Sequence, residues 1–490
     1  MLLSASQRAT AARRARHVAL ASSTGDEHDS CRSMDIPAST SQARGGALPP
    51  GCSGVDFTYP LCLNGNASQK ALGHAGSERR KVGLTAFAMQ AGLEHLLDSF
   101  FKFDNLSQLV LGICVAAALF SVWSIIGSPG AVEYSILVIV FLLSVILTVT
   151  AANLIFFYLA WEIAALCAWG ISRWSTFDDE YSTASFPIQG AGALGSLCML
   201  LAILLLAVQN RSLAMTGLFA AQATPVFLLL LTALFLKSFG VIAQGWRHEH
   251  DKAYGVSRGL VASAGALSLG IYPYLRLFGG NFAFQPEWRG LTLWYALPLA
   301  ALIGLSGLVE DDIYRAVSSA SFAQFCLLLA GLTLPGSIAY QGALLGLVAY
   351  GLGVSALFAC TGVLESRSGE SSLASLKGLG PSLPLTASLF AFGSLAFAGL
   401  PPTAGFISRL LVGGEYLRAG QLGLFLALVV LSALILAINL RVFWWAFLGH
   451  SAPGAVEGHW PVLLATSGIL CLLVLLGLRP EEALRLFPAT

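Results

Sequence analysis

From Leu106 onward the chain is a succession of closely spaced apolar runs. They lie near 106–127, 132–151, 153–172, 186–208, 224–245, 256–278, 290–309, 314–334, 338–363, 382–400, 403–419, 421–447 and 460–478. A helix needs about 20 apolar residues to cross the hydrocarbon core of a bilayer. Inside lipid each backbone N–H and C=O has to be satisfied within the protein, so runs of this length read as membrane helices. The expected fold is all-α and polytopic, with about 12–13 transmembrane helices over residues 106–480. The connections are short, such as STFDDEY, QNRS, WRHEHDKAY, EDDIYR and ESRSGESS, and none could hold a soluble domain. Composition agrees: charged residues make up 11% of the chain, against roughly 25% in soluble domains. Lysine and arginine are spread too evenly over the loops to fix an orientation.

The net charge of +1 gives no argument for a nucleic-acid partner, and none is expected. The 9 cysteines are scattered, with no CxxC pair, so no metal or iron–sulfur site is expected in this chain. His248 and His250 sit in the polar stretch WRHEHDK and read as a solvated loop rather than a ligand pair. Residues 1–100 form a separate region, rich in Ser, Ala, Gly and Arg, that reads as disordered. Its first residues carry Arg and Ser without acids, as an organelle transit peptide does, but a cytoplasmic tail or a misassigned start codon is the preferred reading. Residues 85–104 have the pattern of a short amphipathic helix at the interface.

Charges inside the spans are few. Lys237 is the only charge in PVFLLLLTALFLKSFGVIAQG, and Glu162 sits in the middle of NLIFFYLAWEIAALCAWGIS. A charge at that depth costs about 3 kcal/mol or more, and such residues commonly face a bundle interior and mark an ion path. An ion pair between neighbouring helices would offset part of the cost. The lysine's hold on its proton then depends on whether the carboxylate stays beside it, which is the physics of a proton relay. The bland alternative is a static salt bridge that fixes helix packing. Arg441, among aromatics, reads as an interfacial anchor, and Arg258 and Arg276 flank their span in the same way. Glu310, Asp311, Asp312 and Arg315 read as a solvated corner between two spans. In AFAGLPPTAGFISRLL, Pro401 and Pro402 interrupt a helix, with Arg409 just beyond. That is either a hydrated break lined by carbonyls or a simple turn.

The stretches AWE at 160–162, LKSFGVIAQGW and GLPPTAGFISR, in this order, resemble the antiporter-like membrane subunits shared by respiratory complex I, membrane-bound hydrogenases and Mrp-type cation/proton antiporters. The resemblance covers about residues 151–420. It implies two inverted repeats of five helices, each with a broken helix. It implies proton or ion translocation through Glu162, Lys237 and Arg409, supported by Ser238, Trp246, Asp312, Arg315, Gln324, Pro401 and Pro402. LGIYPYLR, through Gly270, Tyr272 and Arg276, and DEYSTASFPIQGAGALGSLCMLL also resemble family segments. The departures are specific. The family's helix-breaking proline five residues after the lysine is Ile242 here. Its central His or Lys falls on Ala262, and the His and Lys of its later broken helix fall on Tyr350 and Val354. The middle of the family's polar axis is therefore missing, with Tyr350, Ser319, Ser321 and Gln324 left as a lining that water would have to bridge.

The resemblance implies a proton- or cation-translocating subunit of a complex I-like or hydrogenase-like assembly, without a catalytic centre or cofactor of its own. Flavin, iron–sulfur or nickel–iron centres and quinone would sit on partner subunits. The expected partners are the lipid bilayer, other membrane subunits, and protons or sodium ions. The expected location is a bacterial plasma (inner) membrane rather than an organellar one. Two alternatives stay open: a structural, non-pumping subunit of such a complex, and a membrane subunit of an Mrp-type antiporter or an inorganic-carbon uptake complex.

Overall fold

A computed structural model describes Phe101 to Arg485, apart from residues 102, 127–129, 173–185, 211–212, 214–223, 244–254, 280–285, 335, 450–456 and 459. Residues 1–100, Trp246, His248 and His250 lie outside the described residues. So does most of the interfacial helix expected over 85–104; of its described end, Phe101 bridges Ala151 and Asp104 caps the first helix.

The helices are α1 (Asn105–Ile125), α2 (Ala131–Thr150), α3 (Leu154–Ser172), α4 (Phe186–Asn210) and α5 (Thr224–Ile242). The helix α6 follows as a chain of segments from Gly255–Leu260 to Leu275–Gly279, then α7 (Pro286–Gly307), α8 (Ile313–Gly331) and α9 (Ser337–Ser368). The last are α10 (Pro384–Ala398), α11 (Ala404–Arg418), α12 (Leu422–Phe447), α13 (Trp460–Leu478) and the short α14 (Pro480–Arg485). Among the described residues 11 helices are long and apolar enough to cross a membrane. The expected runs at 382–400 and 403–419 are instead two half-length helices, α10 and α11, meeting at the Pro401–Pro402 break.

Burial separates an inner set of helices from an outer one. α6, α8 and α9 are buried over nearly their whole length, whereas α2, α4, α7, α12 and α13 present leucine, valine and tryptophan outward, as at Leu197, Trp294, Val430 and Leu475. Apolar residues all round a helix are what a membrane bundle requires, because lipid is as apolar as the core. α9, at 32 residues, is about 48 Å long, more than a bilayer core, and its polar end carries Glu365 and Arg367 out of the apolar zone.

α6 departs from α-geometry. Val261–Gly265, Leu267–Ile271 and Leu275–Gly279 are wide π turns, which displace carbonyls from the helical ladder. Side chains of neighbouring helices take these carbonyls: Trp161 Nε1–H donates to Leu269 O at 2.9 Å, and the Tyr350 hydroxyl to Ala262 O at 3.2 Å. α5, by contrast, continues as an α-helix through Ile242. Isoleucine, unlike proline, keeps its amide donor there.

At the polar ends Asp312 and Arg258 are buried, which corrects the expectation for those two, whereas Asp311 stays exposed as a solvated corner requires. Asp312 is buried and caps α8, accepting from Tyr314 N at 2.9 Å, Arg315 N at 3.0 Å and Ser371 Oγ at 2.6 Å. The Tyr314 hydroxyl donates to Glu365 at 2.5 Å, and the buried Arg258 guanidinium lies 4.0 Å from the Tyr314 ring centre. Arg441 donates to the Glu310 carbonyl at 2.5 Å and stands 3.6 Å from Asp311. Arg276 pairs with Asp104. Burial pushes the Asp104 carboxyl up, but the Ser107 N–H and the Arg276 charge together hold it below the usual carboxylate range.

Candidate functional site

α3, α4 and α5 bring the two mid-span charges together. Lys237 Nζ donates to Glu162 Oε2 at 2.9 Å and to Ser196 Oγ at 2.6 Å, and stands 4.6 Å from the centre of the Trp161 ring. α4 reaches this position because Gly195 lies against α5: a Cβ there would come within 2.9 Å of Ala233 O and 3.1 Å of Lys237 N. The ammonium is thus held by a carboxylate, a hydroxyl and a ring face, each of which offsets some of the cost of burying it. The lysine side chain is 6% exposed and the glutamate 26%. Glu162 Oε1 is buried and has no hydrogen-bond partner among the described residues, so the carboxylate keeps one acceptor in reserve. The pair forms the floor of a cleft of about 600 Å³, with Gln189, Leu166, Trp169 and Leu197 on its walls.

Arg409 occupies a second site at the break between α10 and α11. α10 ends in a Schellman turn: Gly399, at φ 77°, donates to Ala396 O and Leu400 N donates to Leu395 O. This leaves the Phe397 carbonyl without a helical partner, and the Arg409 guanidinium donates to it at 3.4 Å from both Nη1 and Nη2. Nη2 also donates to Gln324 Oε1 at 2.6 Å. The guanidinium lies directly over Gly399, where any Cβ would collide with it.

Among the described residues, phenylalanines pack α5 against α8 beside the two sites. Phe235 and Phe239 flank Lys237 on α5, and Phe322 and Phe325 flank Gln324 on α8. Their rings pack as Phe235 with Phe325 at 6.1 Å, Phe239 with Phe322 at 5.3 Å and Phe322 with Phe325 at 5.7 Å. Ala262 and Val354 are buried among apolar neighbours. Tyr350, whose ring packs on Phe397, spends its hydroxyl on Ala262 O, and Ser321 returns its hydroxyl to Val317 O. Of the lining expected through Tyr350, Ser319, Ser321 and Gln324, Tyr350 and Ser321 spend their hydroxyls on backbone carbonyls, the buried Ser319 hydroxyl has no partner among the described residues, and Gln324 meets Arg409.

Of the other residues read from the sequence, Ser238 is buried and lies against Gly270, facing away from the ion pair. Asp312 and Arg315 belong to the α8 cap. Pro401 and Pro402 are exposed in the break. Ser196, the aromatic platform of Trp161 and the Asp104–Arg276 pair escaped the sequence reading. The small residues of GAGALGS signalled close packing of α4, but not which side chain it would deliver.

The sequence profile of the NADH:quinone oxidoreductase/Mrp antiporter transmembrane family matches residues 151–435, more than half of the chain. The chain belongs to this family. A relative named NADH-quinone oxidoreductase subunit N, from Salinispora arenicola, is 35% identical over 237 residues, covering 46% of this chain and 43% of that protein. One named NADH-quinone oxidoreductase subunit L, from Mycobacterium tuberculosis, is 26% identical over 403 residues, covering 76% of this chain and 62% of that protein. The chain thus spans roughly half of the length of the curated relatives it matches. Two solved structures share the fold. A chain of the Mrp complex from Dietzia sp. DQ12-45-1b superposes with a TM-score of 0.67 at 19% identity, over 79% of this chain and 83% of that one. A chain of respiratory complex I from Thermus thermophilus gives 0.63 at 21% identity, over 81% and 90%. The protein is an integral membrane protein with the antiporter-like fold. Within that fold Glu162 pairs with Lys237, and Ala262, Tyr350 and Val354 are buried.

Proposed function

We propose that this chain is the ion-translocating, antiporter-like subunit of a multi-subunit membrane complex, moving protons or sodium, and that the Glu162–Lys237 pair is its protonatable element. The observation that carries the proposal is the pair itself: a buried ammonium on one carboxylate oxygen, with the second oxygen unpartnered, on the floor of a cleft. A carboxylate with a spare acceptor can turn toward a second donor. When it does, the lysine loses its counter-charge and releases its proton. The names of the relatives, as subunits of quinone oxidoreductases and Mrp complexes, support assembly with other membrane subunits. On this reading any flavin, iron–sulfur, nickel–iron or quinone chemistry belongs to those partners, and the complex sits in a bacterial plasma membrane.

A second reading, a structural subunit that does not pump, is favoured by the apolar barrier of phenylalanines between Lys237 and Gln324. Lys237→Arg separates the two. It keeps a cation opposite Glu162, but a guanidinium does not release its proton. We expect the variant complex to assemble, and ion movement in membrane vesicles to fall to background. Ion movement at the wild-type rate would overturn the translocating role of this pair.

A further inference from the structure

The charge balance at the helix break points to a second binding site. Arg409 lies between α8, α9, α10 and α11 with neutral partners alone: Gln324 Oε1 at 2.6 Å and the Phe397 carbonyl at 3.4 Å. Among the described residues no carboxylate lies within 4.0 Å of it, whereas Arg276, Arg315 and Arg441 each meet one. The helix ends at the break do not supply the missing charge. The negative C-terminal end of α10 and the positive N-terminal end of α11 meet there, each worth about half an elementary charge, and they cancel. A full positive charge remains on a half-buried side chain, where an ion without a counter-charge keeps only part of its hydration. One of its donors is also unspent: Arg409 Nε is buried and makes no hydrogen bond to the described residues.

Beside the guanidinium is a cavity of about 20 Å³, lined by Gln324, Gly346, Ala349, Gly405, Ser408 and Arg409, among others. A volume of that order holds one water-sized particle. A halide is only a few tenths of an ångström larger in radius. The lining supplies donors suited to an anion. Gln324 has committed its carbonyl oxygen to Arg409, which leaves its NH₂ as a donor, and Ser408 brings a hydroxyl. No carboxylate lines the cavity.

We propose that Arg409, Gln324 and Ser408 form a binding site for one small monovalent anion of the chloride class, which neutralises Arg409 and holds α11 against α8 and α10. This inference does not rest on the translocation reading. The permanent cation and its anion would act as a fixed pair, not as a proton carrier.

The test is binding of radioactive chloride to the detergent-purified wild-type protein in its complex, with gluconate as the inert counter-ion. The expected result is saturable binding that bromide competes for and gluconate does not, weakened at least roughly tenfold in Arg409→Gln, because a charge-assisted contact is lost. No saturable chloride binding by the wild type, or equal affinity in Arg409→Gln, would overturn the site. Should Arg409→Gln fail to fold, bromide-soaked crystals of the wild type decide the matter. Anomalous density beside the Arg409 guanidinium supports the site, and a bromide-free cavity overturns it.

Discussion

Replacing Lys237 by methionine is expected to abolish coupled ion movement while the complex still assembles. Methionine fills most of the lysine's volume and packs readily among Trp161, Leu234 and Val241, so the helix bundle keeps its shape. What is lost is the titratable group and the counter-charge of Glu162, whose Oε2 now has no partner in addition to Oε1. Removing one member of a buried pair costs about 3–5 kcal/mol when both are fully enclosed. Glu162 borders the cleft, so the cost here should fall below that range. The same argument orders the variants. Glu162→Gln with Lys237→Met leaves no lone charge and should be more stable than Lys237→Met alone, yet equally inactive. Thermal melting of the wild type and the two purified variants, alongside ion movement in vesicles, checks both halves. If the double variant is no more stable than Lys237→Met, the pair is not coupled as its geometry states.

The second large effect is steric. Gly477, near the end of α13, lies against the backbone of the helix break. A Cβ there would sit 2.8 Å from Ala404 N, and nearer still to Pro402 O and the carbonyl carbon of Thr403. These are main-chain atoms with no rotamer to yield, so α13 or the start of α11 must move. Overpacking costs about 1–3 kcal/mol where side chains can adjust, and Gly477→Ala should reach or exceed the top of that range. Movement of α11 also draws Arg409 away from Gln324 and Phe397. Gly468 on the same helix has open space around its Cβ position, so Gly468→Ala is the matched control, expected to be neutral or slightly stabilising through helix propensity. The comparison is made by melting temperature and by yield of assembled complex. Equal behaviour of the two variants would contradict the packing of α13 on the break.

The fold was largely legible in the sequence, because its main determinant is the length of apolar runs, and lipid leaves the backbone few choices within them. Each expected run became a helix or half-helix. The ion pair was legible for the same reason: one carboxylate and one ammonium, each alone in an apolar span, have few ways to offset their burial. The rest depended on packing. Asp312 reads as a solvated corner residue until the loop after α9 is seen to cover it with Ser371. Arg276 reads as an interfacial anchor until Asp104, beyond the first apolar run, comes against it. Ser196 could not be chosen among its small neighbours, because the register of α4 on α5 is set by Gly195. The barrier between Lys237 and Gln324 was hidden for a different reason. Phe235, Phe239, Phe322 and Phe325 are ordinary membrane residues one by one, and only the facing of α5 and α8 makes them a wall.

The central claim is that Lys237 releases its proton during turnover as the Glu162 carboxylate turns away from it. Infrared difference spectroscopy of the energised complex tests it most directly, by comparing wild type with Glu162→Gln. The account predicts carboxylate stretching bands that shift when the complex is driven, as Glu162 exchanges the ammonium for another donor, and that are missing from Glu162→Gln. A spectrum identical in wild type and variant, from a complex that still moves ions, would contradict it and assign this subunit a structural role.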